Sequence, residues 1–284
     1  MNILLVLLFG TSDVAPVLNI DTAILKPKAG VPVLDLKADK GAALVTGGHL
    51  FLFSQRADET QPIASITKLM TALVFLDHNP GWDKIYKIVA DDHVEGGRLN
   101  LFLGDEVKVK DLFYTSLVAS DNGATLALVH STGLNEADFV SEMNQKAKKL
   151  GLAKTSFVDP IGLSDSNVST AREVAFLAQA ALDRAEIREA TTRPSYEFKT
   201  LLGRQKKVES TDYLLFDSRQ GSLQVLGGKT GYTDKAGYCF VGRLKDASGR
   251  EVISVILGSS GKNERFQESR NLANWVFNSY NWNK

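Results

Sequence analysis

Ser65 and Lys68, in the stretch Ala64-Ser65-Ile66-Thr67-Lys68-Leu69-Met70, are the pair of side chains with the most direct chemical use in this chain. A serine hydroxyl is a weak nucleophile until a base takes its proton. A lysine three residues along a helix lies one turn away on the same face and can be that base. To accept a proton its amine must be neutral part of the time, and burial or neighbouring positive charge lowers a lysine pKa. Lys229 is the candidate for the second effect. Two further clusters follow in order, Ser120-Asp121-Asn122 and Lys229-Thr230-Gly231.

Spacing alone is weak evidence. Composition gives a Ser-x-x-Lys pair about once in a chain of this length, and a second copy stands at Ser259 and Lys262. Ser-x-Asn begins at Ser120, Ser269 and Ser279, whereas Lys-Thr-Gly occurs only at Lys229. Order and context separate the copies. Ser65 opens an amphipathic helix with Leu69, Ala72, Leu73 and Leu76 on its buried stripe and Pro80 beyond its end. Ser120 and Asn122 lie between that pair and Lys229. The copy at Ser259 has no Lys-Thr-Gly after it and reads as a loop before the last helix.

The elements that must position these residues are legible in outline. Pro27 to Pro32 reads as a linker. Ala42–Thr46 and Leu50–Ser54 form a hairpin about Gly47-Gly48. Gly96 to Gly104 reads as loop or short strand. Asp111–Ala119 is a short helix, and another starts near Ala124. Asn135 caps a helix that Gly151 ends, and Thr170 with Glu173 forms a capping box for the next. From Tyr196 the pattern turns to strands. Tyr238–Leu244 and Val252–Leu257 are near-continuous apolar runs, as in strands covered on both faces. A closing helix from Asn263 buries Phe266, Ala273 and Phe277. The expected architecture is a sheet whose strands come from both chain ends, with a mostly helical lobe, about 85–195, inserted between them.

The three ordered motifs give the chain a strong resemblance to the low-molecular-mass penicillin-binding proteins, the serine D-Ala-D-Ala peptidases of family S11. Flanking stretches carry it too: Pro62-Ile63-Ala64 before the serine, Asn167-Val168-Ser169-Thr170-Ala171-Arg172, and Tyr232-Thr233 with Ala236-Gly237. It covers roughly 40–280. The resemblance implies an α/β (α+β) fold of the β-lactamase/DD-peptidase type, an antiparallel sheet with flanking helices. It implies an acyl ester on Ser65, with Lys68 as general base, Ser120 as proton relay and Asn122 holding Lys68 and the substrate amide. Lys229, Thr230 and Thr233 would bind the substrate's terminal carboxylate, and Gly231 would let its backbone lie along the strand. The backbone N–H groups of Ser65 and Tyr232 would form the oxyanion hole. The implied partners are peptidoglycan pentapeptide or cross-linked muropeptide, with β-lactams as covalent inhibitors, and no cofactor or metal.

Rival uses of such a site are cleavage of D-Ala cross-links by an endopeptidase, a serine β-lactamase, and an inactive penicillin-binding sensor. The loop Ser156-Phe157-Val158-Asp159-Pro160-Ile161-Gly162-Leu163 lacks the glutamate with which class A β-lactamases activate water, so slow release of acylated penicillin is expected. Asp121 reads as a turn-shaping residue outside the catalytic set. The intact motifs argue against the sensor. The chain stops soon after the closing helix, so no carboxy-terminal β domain is expected within it.

Composition narrows the rest. Thirty-three basic and 33 acidic residues give a net charge of +0, with no basic excess for nucleic acid. One cysteine, Cys239, permits no internal disulfide, and its apolar setting reads as a buried inert thiol. His49, His78, His93 and His130 are scattered without metal spacing. Ile3–Phe9 is too short to cross a bilayer. It reads equally as the apolar core of a secretory signal without its preceding basic residues or as a frayed or buried terminus. The substrate implied by the resemblance favours an extracytoplasmic location.

Overall fold

The computed structural model describes residues 25–94, 100–216 and 223–282. The apolar run Ile3–Phe9 lies outside them, as does part of the Gly96–Gly104 stretch. Along the chain come β1 (Lys40–Val45), β2 (Phe51–Gln55), β3 (Gln61–Pro62), α1 (Lys68–Asp77), β4 (Ile85–Lys87) and β5 (Glu106–Lys108). Then follow α2 (Val109–Val118), α3 (Asn122–Ser131), α4 (Glu136–Lys149), β6 (Val168–Ser169), α5 (Ala171–Asp183) and α6 (Ala185–Thr191). The chain continues through β7 (Ser195–Lys199), β8 (Gln205–Glu209), β9 (Gln224–Thr233), β10 (Gly237–Lys245), β11 (Glu251–Ser259) and α7 (Glu264–Ser279).

The main sheet has five strands in the order β2-β1-β11-β10-β9, all neighbours antiparallel. It joins both chain ends, as expected, through the pairing of Lys40–Val45 with Val252–Leu257. The near-continuous apolar runs are explained by burial on both faces. Ala42, Leu44, Val241, Ile253 and Val255 pack into the core that holds α1 and α5. Their alternates Ala43, Phe240, Val252 and Ile256 pack against Phe266, Leu272 and Val276 of α7. The strands from Tyr196 onward do not all join this sheet. β7 and β8 pair only with each other, as a hairpin beside α2. The Pro27–Pro32 stretch is tied to the end of α7, with Lys28 N–H donating to the Ser279 carbonyl at 2.8 Å and Trp275 Nε1 to Pro32 at 2.8 Å.

Helix ends follow the sequence signals with informative exceptions. Asn135 Oδ1 accepts from Asp138 N–H at 2.9 Å and caps α4, and Gly151 follows its end at φ +74°. α3 begins at Asn122, ahead of the expected Ala124, because Asp121 caps it by accepting from Ala124 N–H at 2.7 Å. The capping box of α5 is half formed. Thr170 accepts from Glu173 N–H at 3.1 Å, but Glu173 turns away to accept from Lys154 N–H and from Thr155 Oγ1. Ser65 does not open α1 itself. It sits in a 3₁₀ turn, Ala64–Thr67, and the α-helix starts at Lys68. Three residues per turn in a 3₁₀ segment bring positions i and i+3 onto one line.

That turn is gripped from two sides by glycines. A Cβ on Gly162 would stand 2.1 Å from the Ala64 carbonyl oxygen, and one on Gly231 would stand 2.7 Å from the Ile63 carbonyl oxygen. Gly162 also has φ +81°. Its replacement by alanine is expected to cost about 2–4 kcal/mol, combining left-handed strain with overpacking. Gly133→Ala, at φ +86° with nothing within 4 Å, meets only the first of these. Urea unfolding of the two variants checks this, and equal losses would contradict the packing role of Gly162.

Candidate active site

Ser65 and Lys68 stand where the 3₁₀ turn meets α1, at the seam between the sheet and the helical elements. Lys68 is 0 % exposed. Its Nζ lies 3.0 Å from Ser65 Oγ, 2.7 Å from Asn122 Oδ1 and 2.6 Å from the Ile161 carbonyl oxygen. An ammonium would donate three hydrogen bonds to these atoms. A neutral amine donates two, which the two carbonyl-type acceptors take, and its lone pair then faces the serine hydroxyl. Burial pushes the Lys68 amine down to about 7, against the opposing pull of the Asp121 and Asp159 carboxylates. Burial, and not the charge of Lys229, is therefore the main cause of the lowered pKa.

Lys229 is also buried, and its Nζ donates to Ser120 Oγ at 2.7 Å and to the Thr230 carbonyl at 3.0 Å. Burial lowers its amine well below the ordinary lysine range, and the positive charges of Lys68 and Arg265 lower it further. Ser120 holds φ +58°, a left-handed conformation uncommon outside glycine. The turn it makes is fixed by its neighbour: Asp121 Oδ2 accepts from Asn100 Nδ2 at 2.6 Å while Oδ1 caps α3. Asp121 is thus structural, as its sequence context suggested.

Ser65, Ser120, Asn122, Thr230, Gly231 and Tyr232 line one cleft. Thr230 shares a hydrogen bond with Thr211 at 2.7 Å between the hydroxyls. Thr233 is the residue the structure separates from this group. It is the last residue of β9, on the face it shares with Lys229 and Gly231 but beyond them. Its hydroxyl donates to Asp165 Oδ1 at 3.2 Å and accepts from Ala236 N–H at 3.1 Å. Thr233 closes the β9–β10 turn and does not line the cleft. Gly231 lines the cleft and has a structural reason beside the expected one. The missing side chain lets β9 lie against the Ile63–Ser65 turn itself. Tyr232 stacks on Tyr238 with ring centroids 4.4 Å apart.

Three contributors had no role assigned from the sequence. Ile161 acts through its carbonyl, which no side-chain motif records. The turn that delivers it is built by Asp159, which accepts from the N–H groups of Ile161, Gly162 and Ser164. Asn167, wholly buried, braces the same loop. It accepts from Val158 and Asp159 N–H and donates to Thr67 Oγ1. Arg265 lines the cleft from α7, where its Nη1 donates to the Gly231 carbonyl at 3.0 Å. Its signal was a lone arginine on the apolar stripe that carries Leu272 and Val276. Asp212, also buried, lies within the field of Arg265 and Lys229, and burial lifts its carboxyl to about 7. Cys239 is an inert buried thiol pushed up to about 11.

A mixed fold with an antiparallel sheet, holding a serine beside a desolvated lysine, defines a serine hydrolase that works through an acyl ester. The sequence matches Peptidase S11, D-alanyl-D-alanine carboxypeptidase, over residues 40–261, and the chain belongs to this family. It is 33% identical to a D-alanyl-D-alanine endopeptidase of Pseudomonas aeruginosa, over 88% of this chain and 81% of that protein. It is 31% identical to a D-alanyl-D-alanine carboxypeptidase of Bacillus subtilis, over 81% of this chain and 59% of that one. Among solved structures it resembles penicillin-binding protein D2 of Listeria monocytogenes in a cefotaxime-bound form. The TM-score is 0.74 and the identity 35%, covering 87% of this chain and 99% of that one.

Lys68 is expected to lose its proton near pH 7 in the folded protein and near 10.4 when unfolded. Carbon-13 NMR of lysine side chains, with Lys68→Arg to assign the signal, reads this directly. A Lys68 signal that still reports ammonium at pH 9 would sink the desolvation argument.

Proposed function

We propose that this chain is a penicillin-binding D-Ala-D-Ala carboxypeptidase of peptidoglycan stem peptides, acting through an ester on Ser65. The observation that carries the reading is the set of partners around the Lys68 amine, two fixed acceptors and one serine hydroxyl. Ser65 Oγ attacks the carbonyl between the two D-alanines as its proton passes to Lys68. The C–N bond breaks as Ser120, held by Lys229, gives its proton to the departing amine and takes in its place the one that Lys68 had accepted, which returns Lys68 to the neutral amine. Thr230 and Lys229 supply hydrogen-bond donors, and Arg265 the positive charge, that a terminal carboxylate requires. The N–H groups of Ser65 and Tyr232 receive the oxyanion, a contribution typically worth about 10²–10³ in rate for each donor. Water then hydrolyses the ester and frees the shortened peptide.

The stem peptide lies outside the cytoplasm, so the reading carries with it an extracytoplasmic site of action, in the periplasm or cell envelope. Among the described residues no helix is long and apolar enough to cross a membrane.

Slow release of penicillin follows from the loop opposite Ser65. Its one carboxylate, Asp159, accepts three backbone N–H groups and is held in the turn. Nothing in that loop matches the water-activating glutamate of class A β-lactamases.

An endopeptidase activity on D-Ala cross-links is the second reading. It is favoured by the match to the Pseudomonas aeruginosa endopeptidase across most of both chains.

Fluorescent penicillin is expected to label the protein, with labelling lost in Ser65→Ala. The label should persist for many minutes, and its acylation rate should rise with pH through about 7, as Lys68 becomes neutral. Folded wild-type protein that takes no label would refute the nucleophile, and rapid multiple-turnover penicillin hydrolysis would refute slow release. Mass spectrometry of muropeptides separates the two peptidase readings, by loss of one alanine from pentapeptide or by conversion of dimers to monomers.

A further inference from the structure

The second Ser-x-x-Lys copy is not a second catalytic pair. Ser259 Oγ donates to Glu268 Oε2 at 2.6 Å and faces away from the cleft chemistry. Lys262 nevertheless lines the same cleft as Ser65. It stands in the turn just before α7, three residues ahead of Arg265, and both cations line the cleft. Their settings differ. Arg265 is buried and tied to the β9 and β10 carbonyls of Gly231 and Cys239. Lys262 is exposed, and its Nζ sits 4.8 Å above the ring of Tyr213, another cleft-lining residue. Tyr213 in turn stacks on Phe266 of α7, with centroids 5.5 Å apart. The side chain of Lys262 thus lies over an aromatic platform in the exposed part of the cleft, whereas Lys229, Thr230 and Arg265 are buried.

A single D-alanine leaving group carries one carboxylate. The inner donors, Lys229, Thr230 and Arg265, already answer that carboxylate, and an alanine has no atoms left to reach the rim. A cation placed further out along the leaving-group end fits a longer leaving group with a second anionic group. The leaving amine of a cross-link belongs to a neighbouring stem peptide, which carries further carboxylates beyond the one next to the cut.

We propose that Lys262, on its Tyr213 platform, is a specificity-determining contact for cross-linked dimers, gripping the second stem peptide on the leaving-group side. This rests on the second, endopeptidase reading of the cleft and deepens it, while the inner donors alone serve the monomeric pentapeptide.

The experiment compares purified full chain and its Lys262→Ala, Lys262→Glu and Lys262→Arg variants on cross-linked muropeptide dimer, on monomeric pentapeptide and on fluorescent penicillin. An exposed ion pair contributes up to about 1 kcal/mol. Lys262→Ala is therefore expected to raise KM for the dimer by about threefold to fivefold and Lys262→Glu by about tenfold. The dimer kcat should stay within about twofold, Lys262→Arg should restore most of the KM, and added salt should narrow the gap between variants. Monomer cleavage and penicillin acylation should remain within about twofold of wild type, which a merely structural loss would not allow. Equal losses on dimer and monomer, or a dimer KM indifferent to Lys262→Glu, would overturn the proposal. Wild-type protein that trims the monomer and leaves the dimer intact would overturn it too, while leaving the serine-peptidase reading standing. Failure of penicillin labelling would remove both.

Discussion

Everything at the site depends on keeping one amine out of water. Lys68 is the first residue of a helix whose next seven positions are also buried, so its side chain has no route to solvent. Bare burial of a charge is costly, and the group answers by losing its proton. What makes the resulting neutral amine useful is that its two N–H bonds are already committed. Asn122 and Ile161 take them from segments more than fifty and ninety residues away in sequence. The third direction is left for Ser65.

Other features serve that arrangement. Gly162 and Gly231 let a loop and a strand close on the turn bearing Ser65. Asp159 and Asn167 fold the loop so that a carbonyl, not a carboxylate, faces Lys68. Asp121 holds Ser120 in its left-handed conformation and starts the helix that presents Asn122. The carboxylates of Asp121 and Asp159 oppose the loss of the proton, yet both are occupied with backbone N–H groups. Their hydrogen bonds fix geometry, while desolvation decides the charge of Lys68.

The sheet and its long strands were legible because burial on both faces writes continuous apolar runs. The caps at Asn135 and Thr170 were legible because their chemistry is local. Ser65, Lys68, Ser120, Asn122 and Lys229 could be named because three short motifs carry them in order. What was hidden depends on tertiary contact. Ile161 contributes only backbone, Glu173 abandoned its capping role for Lys154 and Thr155, and the Thr233 hydroxyl is taken up by Asp165 and Ala236 at the end of β9. Gly231 was noticed for a substrate backbone, and its close approach to the protein's own Ile63–Ser65 turn was not foreseen. Lys262 was set aside with Ser259 as a chance repeat. That judgement suits the pair, but the lysine's place in the cleft is set by where α7 begins.

The pairing of β1 with β11 has a consequence for the order in which this molecule comes into being. The serine and lysine are made early, but the strand bearing Lys229 and the helix bearing Arg265 are among the last segments synthesised. Such long-range closure is slow because the chain must first lose the freedom of the intervening loop. Until β9 packs against the turn and the loop around Ile161 folds down, Lys68 remains hydrated and charged, and Ser65 is an ordinary alcohol. The reactive group is therefore a product of finished folding: an unfinished chain carries every catalytic letter of its first motif and none of its reactivity.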